Sequence, residues 1–159
     1  MIIGLAGYAQ AGKDEVAKVF VSQGFTRFAF ADKLKQLATE LQYWNGTKDE
    51  LGRLHLQYLG NKVRDILGDN IWIDAMMRDA SHIDNVVISD VRYNNEIHAV
   101  HDAGGLVLRV NRPGTGPINN HVSEGLPEHS RLYDGYIHND GSLDELRRKV
   151  LKWLMIETS

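Results

Sequence analysis

The chain has no cysteine and only three prolines. The first absence excludes disulfides, thiolate metal sites and cysteine nucleophiles, and it is compatible with the cytosol. The prolines (Pro113, Pro117 and Pro127) all fall in one stretch, so elsewhere no ring interrupts a helix or strand. No apolar run approaches the roughly 20 residues of a membrane span. The N-terminus carries no basic leader, and Gly4 breaks its apolar run early, so a cytoplasmic protein is expected. A strong charge of one sign is missing too. Lys and Arg number 18 against 21 Asp and Glu, and the resulting net charge of −3 gives no generic attraction to nucleic acid or a membrane surface. The seven histidines follow no HExxH or other zinc-ligand spacing, and there is no repeat or low-complexity tract. With 43% hydrophobic residues in 159, the chain has enough apolar material for one compact domain with a sizeable core.

What is present begins at residue 1. Ile2, Ile3, Leu5 and Ala6 read as a short buried strand. Gly7-Tyr8-Ala9-Gln10-Ala11-Gly12-Lys13 spells Gly-x4-Gly-Lys, and the next residues place Val16, Ala17 and Phe20 on one side of a helix. Strand, glycine loop, helix and a lysine at the helix start together form the setting of a phosphate-binding loop. The glycines let successive N–H groups converge on one anion, the helix N-terminus adds partial positive charge, and Lys13 reaches the outer phosphates of a nucleotide. Asp14 stands where most such loops have the Ser or Thr that meets Mg²⁺, so metal would be held through water or another residue.

The rest alternates. Phe25–Phe30 reads as a second strand, after which Asp32 caps a helix carrying Leu34, Leu37, Ala38 and Leu41. Leu51, Leu54, Tyr58, Val63, Ile66 and Leu67 mark another helix, closed by Gly68, and Ile71–Met77 continues the helical region. Val86–Asp90 is a buried strand, Asn94–Ala103 a helix, Leu106–Val110 a strand and Tyr136–His138 a last strand. Ser142-Leu143-Asp144-Glu145 is a capping box that opens a helix with Leu143, Leu146, Val150, Leu151 and Leu154 as its stripe. The expected architecture is α/β: a single domain over 1–159, with a five-stranded parallel sheet flanked by helices. Ligands of such sheets sit beyond the C-terminal strand ends. The glycine loop, Asp32, Asp90 with Arg92, Arg112, and Asn139 follow strands one to five in turn.

Several of these positions carry two readings. Asp90 either stands on the Mg²⁺ side of a nucleotide or caps the next helix. Arg92 either forks onto phosphate or pairs with Glu96 one turn on. Arg64 lies beside an apolar stripe and needs an anion, either a substrate phosphate or a carboxylate such as Asp65. At most one of Lys33 and Lys35 can reach a ligand, since they face different sides of their helix. Arg109 and Arg112 bracket the end of the fourth strand, ahead of a Pro- and Gly-rich stretch at 112–127 that reads as a basic lid closing over phosphates, or else as a plain surface loop. His121 and Glu124 fall in or beside it.

Taken together, these blocks resemble the phage-type deoxynucleoside monophosphate kinases, a branch of the P-loop nucleoside monophosphate kinases. The similarity runs through Gly12-Lys13-Asp14, Phe30-Ala31-Asp32-Lys33-Leu34-Lys35, Leu56-Gln57-Tyr58-Leu59-Gly60 with Val63-Arg64, and Trp72. It continues in Ser89-Asp90-Val91-Arg92-Tyr93-Asn94-Asn95-Glu96, Arg109-Val110-Asn111-Arg112-Pro113-Gly114, His121-Val122-Ser123-Glu124 and Ile137-His138-Asn139-Asp140-Gly141. The resemblance implies transfer of a phosphoryl group from ATP, with Mg²⁺, to a deoxynucleoside monophosphate, in the host cytoplasm if the chain is phage-encoded. It implies helices over about 32–80 covering the acceptor and a short lid over about 112–127. Lys13, Arg92 and Arg112 would be catalytic; Gly7, Ala9, Ala11, Gly12, Lys13, Asp14, Glu15 and Asn139 would bind ATP. Asp32, Lys35, Arg64, Trp72, Arg92, Glu96 and Glu124 would bind the acceptor, and Asp14 and Asp90 would serve the metal. Competing readings are another small-acceptor P-loop kinase, resembling dephospho-coenzyme A kinase or shikimate kinase, and a nucleotide-binding module without turnover. Neither nucleic acid nor membrane is expected as a partner, and the base accepted and the oligomeric state are not readable.

Overall fold

In the computed structural model, residues 1–47, 49–117, 126 and 130–158 are described. The chain forms two compact units, one of Met1–Phe28 with Ile83–Ser159 and one of Ala29–His82.

The first unit holds the whole sheet. Its strands are β1 (Ile2–Ala6), β2 (Thr26–Phe28), β3 (Val86–Val91), β4 (Leu106–Asn111) and β5 (Gly135–His138), and its helices are α1 (Lys13–Ser22), α5 (Asn94–Asp102) and α6 (Leu143–Glu157). The strand order is β2-β3-β1-β4-β5 with every pair parallel, so all C-terminal strand ends lie along one edge. β1 is central because its residues are apolar or glycine throughout and can be covered on both faces. Ile3 and Leu5 point into one layer with Val87, Leu108, Val110 and Ile137, where α1 supplies Val16, Ala17 and Phe20 and α6 supplies Leu146 and Val150. Phe20 is fully buried and meets Phe25 and Trp153 edge-on, a burial that contributes about 1.5–3 kcal/mol. Gly4 faces the other way. A Cβ there would stand 3.0 Å from Val91 and 3.4 Å from Val100 of α5 and Val107 of β4, so α5 packs closely on that face because the strand offers no side chain.

The second unit is helical: α2 (Ala31–Glu40), α3 (Glu50–Leu67) and α4 (Ile71–Ala80). Asp49 caps α3 by accepting the Gly52 N–H at 2.7 Å. The face α3 buries is a glycine face. Gly52 and Gly60 are buried, and a Cβ at Gly60 would press on Leu34 of α2 at 2.9 Å. Leu51, Leu54, Tyr58, Ile66 and Leu67, whose spacing announces the helix, are exposed.

Other local readings differ from expectation in instructive ways. β2 spans Thr26–Phe28 rather than Phe25–Phe30, because Phe30 already has helical dihedrals as the cap of α2. Asp32 therefore lies inside the first turn of α2 and is not its cap. Leu143 is 65% exposed at the first position of α6, whereas Ser142 and Glu145 form the expected reciprocal capping box. No helix among the described residues is long and apolar enough to cross a membrane.

Candidate active site

The loop between β1 and α1 is shaped by two glycines that could not be anything else. Gly7 has φ 149°, and a Cβ there would stand 2.6 Å from the Val110 carbonyl oxygen. Gly12 is the N-cap of α1 with φ 101°, and its Cβ would stand 2.4 Å from Asn139 Nδ2. Gln10 also has positive φ, at 64°. The first helical bond runs from the Val16 N–H to the Gly12 carbonyl at 3.0 Å. The N–H groups of Lys13, Asp14 and Glu15 precede it and point along the positive end of the helix dipole. Lys13 folds back over the loop, and its ammonium donates to the carbonyls of Gly7 and Tyr8 at 2.7 and 2.8 Å.

Residues distant in sequence brace this loop. Asn139, just past β5, donates through Nδ2 to the Ala11 carbonyl at 3.0 Å, and its own N–H donates to the Asn111 carbonyl at 2.8 Å. Arg112, just past β4, reaches the Gln10 carbonyl at 3.4 Å and otherwise lies exposed. Its carbonyl closes a tight turn with Thr115, helped by Gly114 at φ 77°. Glu124 and His121, expected in the lid, lie outside the described residues.

Asp90 is half-buried in β3, one residue before the position that pairs with Ala6 at the end of β1. It is not the cap of α5. That helix begins after Tyr93, and the acid serving its start is Glu96, whose Oε2 accepts the Arg92 and Tyr93 N–H groups at 2.6 and 3.1 Å. Glu96 is 3% exposed and Arg92 is exposed, so the acid holds the backbone from which the arginine projects. Glu15 turns along α1, where its carboxylate pairs with Lys18 at 2.6 Å and the lysine's pKa is raised by that contact. Asp14 is exposed in the first helical turn.

The first unit thus brings Gly7, Ala9, Ala11, Gly12, Lys13, Asp14, Asp90, Arg92, Arg112 and Asn139 to one edge of its sheet. The remaining expected residues belong to the helical unit. Asp32 and Lys35 are half-buried on α2, and Lys33 is committed to Asp79 of α4 at 2.9 Å. Arg64 is half-buried in the last turn of α3, with Nη1 3.5 Å from Asn61 Oδ1. Trp72 is 5% exposed, and its indole N–H donates to the Gly60 carbonyl at 3.3 Å, so most of its ring is spent on holding α4 to α3.

Three features escaped the sequence reading. Arg109 is 1% exposed inside β4 and is no part of a lid. Its guanidinium lies 4.5 Å from the centre of the Tyr8 ring, in the glycine loop. Arg27 donates to the buried Ser89 hydroxyl at 3.0 Å, beside Asp90. Only a strand order could have revealed these contacts.

The chain is similar to known proteins in sequence and in fold. A family model described as deoxynucleotide monophosphate kinase matches residues 51–150, well over half of the chain. The deoxynucleotide monophosphate kinase assigned to Acanthamoeba polyphaga mimivirus is 29% identical over 184 aligned positions, covering 95% of this chain and 94% of that protein. The deoxynucleotide monophosphate kinase of enterobacteria phage T4 is 28% identical over 144 positions, covering 81% of this chain but 58% of the phage protein. Among solved structures, shikimate kinase from Aquifex aeolicus superposes with a TM-score of 0.58 at 14% identity, covering 99% of this chain and 98% of that one, a likeness of fold alone. The chain belongs to the deoxynucleotide monophosphate kinase family, and its reaction is phosphoryl transfer to a deoxynucleoside monophosphate.

Proposed function

We propose that the glycine loop holds ATP as the phosphoryl donor, and that Lys13 and three arginines arrange the transfer. The observation carrying this reading is the loop itself: a glycine-capped helix start, with the Lys13 ammonium resting on the loop carbonyls at the C-terminal edge of a parallel sheet. The backbone N–H groups over 9–15 would cradle the donor phosphates, Glu15 taking part through its main chain because its carboxylate is engaged with Lys18. Asn139 would set the loop's far side. Lys13 would leave its carbonyl partners for the β/γ-phosphates, exchanging two neutral acceptors for a full negative charge.

An acceptor phosphate oxygen forms the new bond to the γ-phosphorus as the bond to the bridging oxygen of ADP breaks, yielding a deoxynucleoside diphosphate and ADP. The acceptor is already ionised, so alignment and charge neutralisation carry the rate and no strong general base is needed. Arg64 and Arg92 would grip the acceptor phosphate, with Glu96 fixing the backbone under Arg92, and Arg112 would meet charge developing on the transferred group. Asp32, Lys35, Trp72 and Glu124 would complete the acceptor pocket, with Trp72 acting through the helix packing it enforces and the Ala29–His82 unit supplying the acceptor-covering helices.

The donor set suits Mg²⁺. Among the described residues no three His, Cys, Asp or Glu side chains cluster as a cage. Mg²⁺ needs no cage, since it keeps several waters and takes one or two carboxylates together with phosphates. Asp90 at the lip of β3 and Asp14 in the first turn of α1 offer hard oxygens of that kind. The ion would supply charge neutralisation of the phosphates.

The test is turnover of a panel of deoxynucleoside monophosphates with ATP and Mg²⁺, followed as ADP release and diphosphate formation. Lys13→Ala should fold normally and lose activity by about a hundredfold or more, in line with removal of one strong transition-state contact. Near-normal phosphorylation by a folded Lys13→Ala protein would end the assignment of the donor site.

A further inference from the structure

β4 alternates strictly. Leu108 and Val110 enter the layer covered by α1 and α6, so Arg109 must project from the opposite face of the sheet. Its register partner on β1 is Ala6, the last residue before the glycine loop, and its partner on β5 is Tyr136. An aliphatic side chain could fill such a place. The structure puts there the largest of the fully buried side chains, one that carries a permanent charge.

Burying a guanidinium is costly unless a carboxylate answers it. Among the described residues no carboxylate does, and Nη2 has no hydrogen-bond partner. What the charge does meet is aromatic. The guanidinium carbon lies 4.5 Å from the ring centre of Tyr8 and 5.6 Å from that of Tyr133, while Nε donates to Asn111 Oδ1 at 3.2 Å and Nη1 stands 3.5 Å from the Tyr133 hydroxyl. Tyr8 and Asn111 both lead to the loop. The Tyr8 carbonyl accepts from the Lys13 ammonium, and the Asn111 carbonyl accepts the N–H of Asn139, whose side chain holds Ala11. One buried cation is therefore tied to the first half of the loop through Tyr8 and to the second half through Asn111 and Asn139.

We propose that Arg109 is a positioning residue for phosphoryl transfer: by stacking on Tyr8 it sets the loop carbonyls that aim Lys13, and so tunes the donor side of the site without touching substrate. That no carboxylate among the described residues answers its charge fits this role. An arginine neutralised by a carboxylate would present a weaker field to the electron-rich face of Tyr8. The inference rests on the proposed donor role of the glycine loop.

The experiment measures Arg109→Lys, Tyr8→Leu and the double variant against wild type. Affinity for ATP in the absence of acceptor, kcat, both KM values and the melting temperature are read on each. Lysine keeps the charge and loses the flat surface that stacks; leucine keeps bulk and loses the ring. Each single variant should weaken ATP binding or lower kcat by about three- to thirtyfold, the range a cation–π contact spans, with KM for the deoxynucleoside monophosphate moving less than about twofold. The double variant should be no worse than the poorer single one, because both break one contact. Wild-type ATP affinity and kcat in folded Arg109→Lys would overturn the proposal, as would multiplying losses in the double variant or a lowered melting temperature with intact kinetics. Should Arg109→Lys not fold, Tyr8→Leu decides on the same readings. Wild type that binds ATP but turns over no deoxynucleoside monophosphate counts against the acceptor assignment alone, since ATP binding by the variants still reads the positioning role.

Discussion

Replacing Gly12 with alanine tests the central geometric claim about the loop. At φ 101° an L-residue is strained by about 1–2 kcal/mol, since its Cβ crowds the neighbouring carbonyl. The new methyl would also stand 2.4 Å from Asn139 Nδ2, far inside contact distance. Asn139 must swing away and give up its bond to the Ala11 carbonyl, which contributes about 0.5–1.5 kcal/mol. Together the loss is about 1.5–3.5 kcal/mol, which in a domain of this size lowers the melting temperature by roughly 3–14 °C. Gly24→Ala is the matched control: its φ is 89°, and nothing lies within 4 Å of the added carbon, so it carries the strain without the collision. Thermal melts by circular dichroism on both proteins, with ATP affinity alongside, separate the two effects. Gly12→Ala should melt lower than Gly24→Ala and bind ATP more weakly, and adding Asn139→Ala to Gly12→Ala should cost little more, because that bond is already broken. Equal melting temperatures for the two glycine variants would refute the argument that Asn139 presses on the loop.

Three other outcomes are expected. Arg64→Ala should raise KM for the deoxynucleoside monophosphate about ten- to a hundredfold with ATP affinity nearly intact, the effect of one charge-assisted contact, and Arg64→Lys should recover only part; an unmoved KM with a lower melting temperature would make Arg64 a structural residue. Asp14→Ala should shift the Mg²⁺ titration of activity upward, and a superimposable titration curve would remove Asp14 from the metal side. The pKa of Asp49 is lowered, first by the Gly52 N–H it accepts, and that of Glu145 is lowered, first by the Ser142 N–H. A depressed carboxylate contributes stability that is present above its ordinary value, 3.8 for Asp and 4.5 for Glu, and is lost as pH falls through the lower folded-state value. Melts of Asp49→Asn and Glu145→Gln should therefore lie below wild type at pH 7 and converge on it in acid, and a gap that stayed constant with pH would contradict the capping role.

Local chemistry was legible in the sequence wherever the physics is local. A glycine loop between an apolar strand and an amphipathic helix announces itself because the residues that shape it are adjacent, and the box of Ser142 and Glu145 is written within four residues. The alternation of elements led to five parallel strands for the same reason. The deoxynucleotide kinase resemblance rested on the order of many short blocks, and the family match bears it out.

Tertiary neighbours decide which side chains serve the helix starts. Asp90 does not cap α5, because Glu96 holds that start. Asp32 looked like a cap, but Phe30 had already turned helical. The apolar spacing of α3 correctly marked a helix and misled about its buried side, because glycines allow the closest approach of a partner and carry no hydrophobic signal.

By itself the sequence determined the class of the protein, its phosphate loop and the spacing of its elements, since each depends on contacts a few residues long. Only the tertiary structure decided which strands lie side by side. That choice put Ala6 beside Arg109, Val110 against Gly7, and Asn139 against a loop 128 residues earlier in the chain. Such contacts belong to pairs of elements that meet after folding, and no periodicity within either element encodes them.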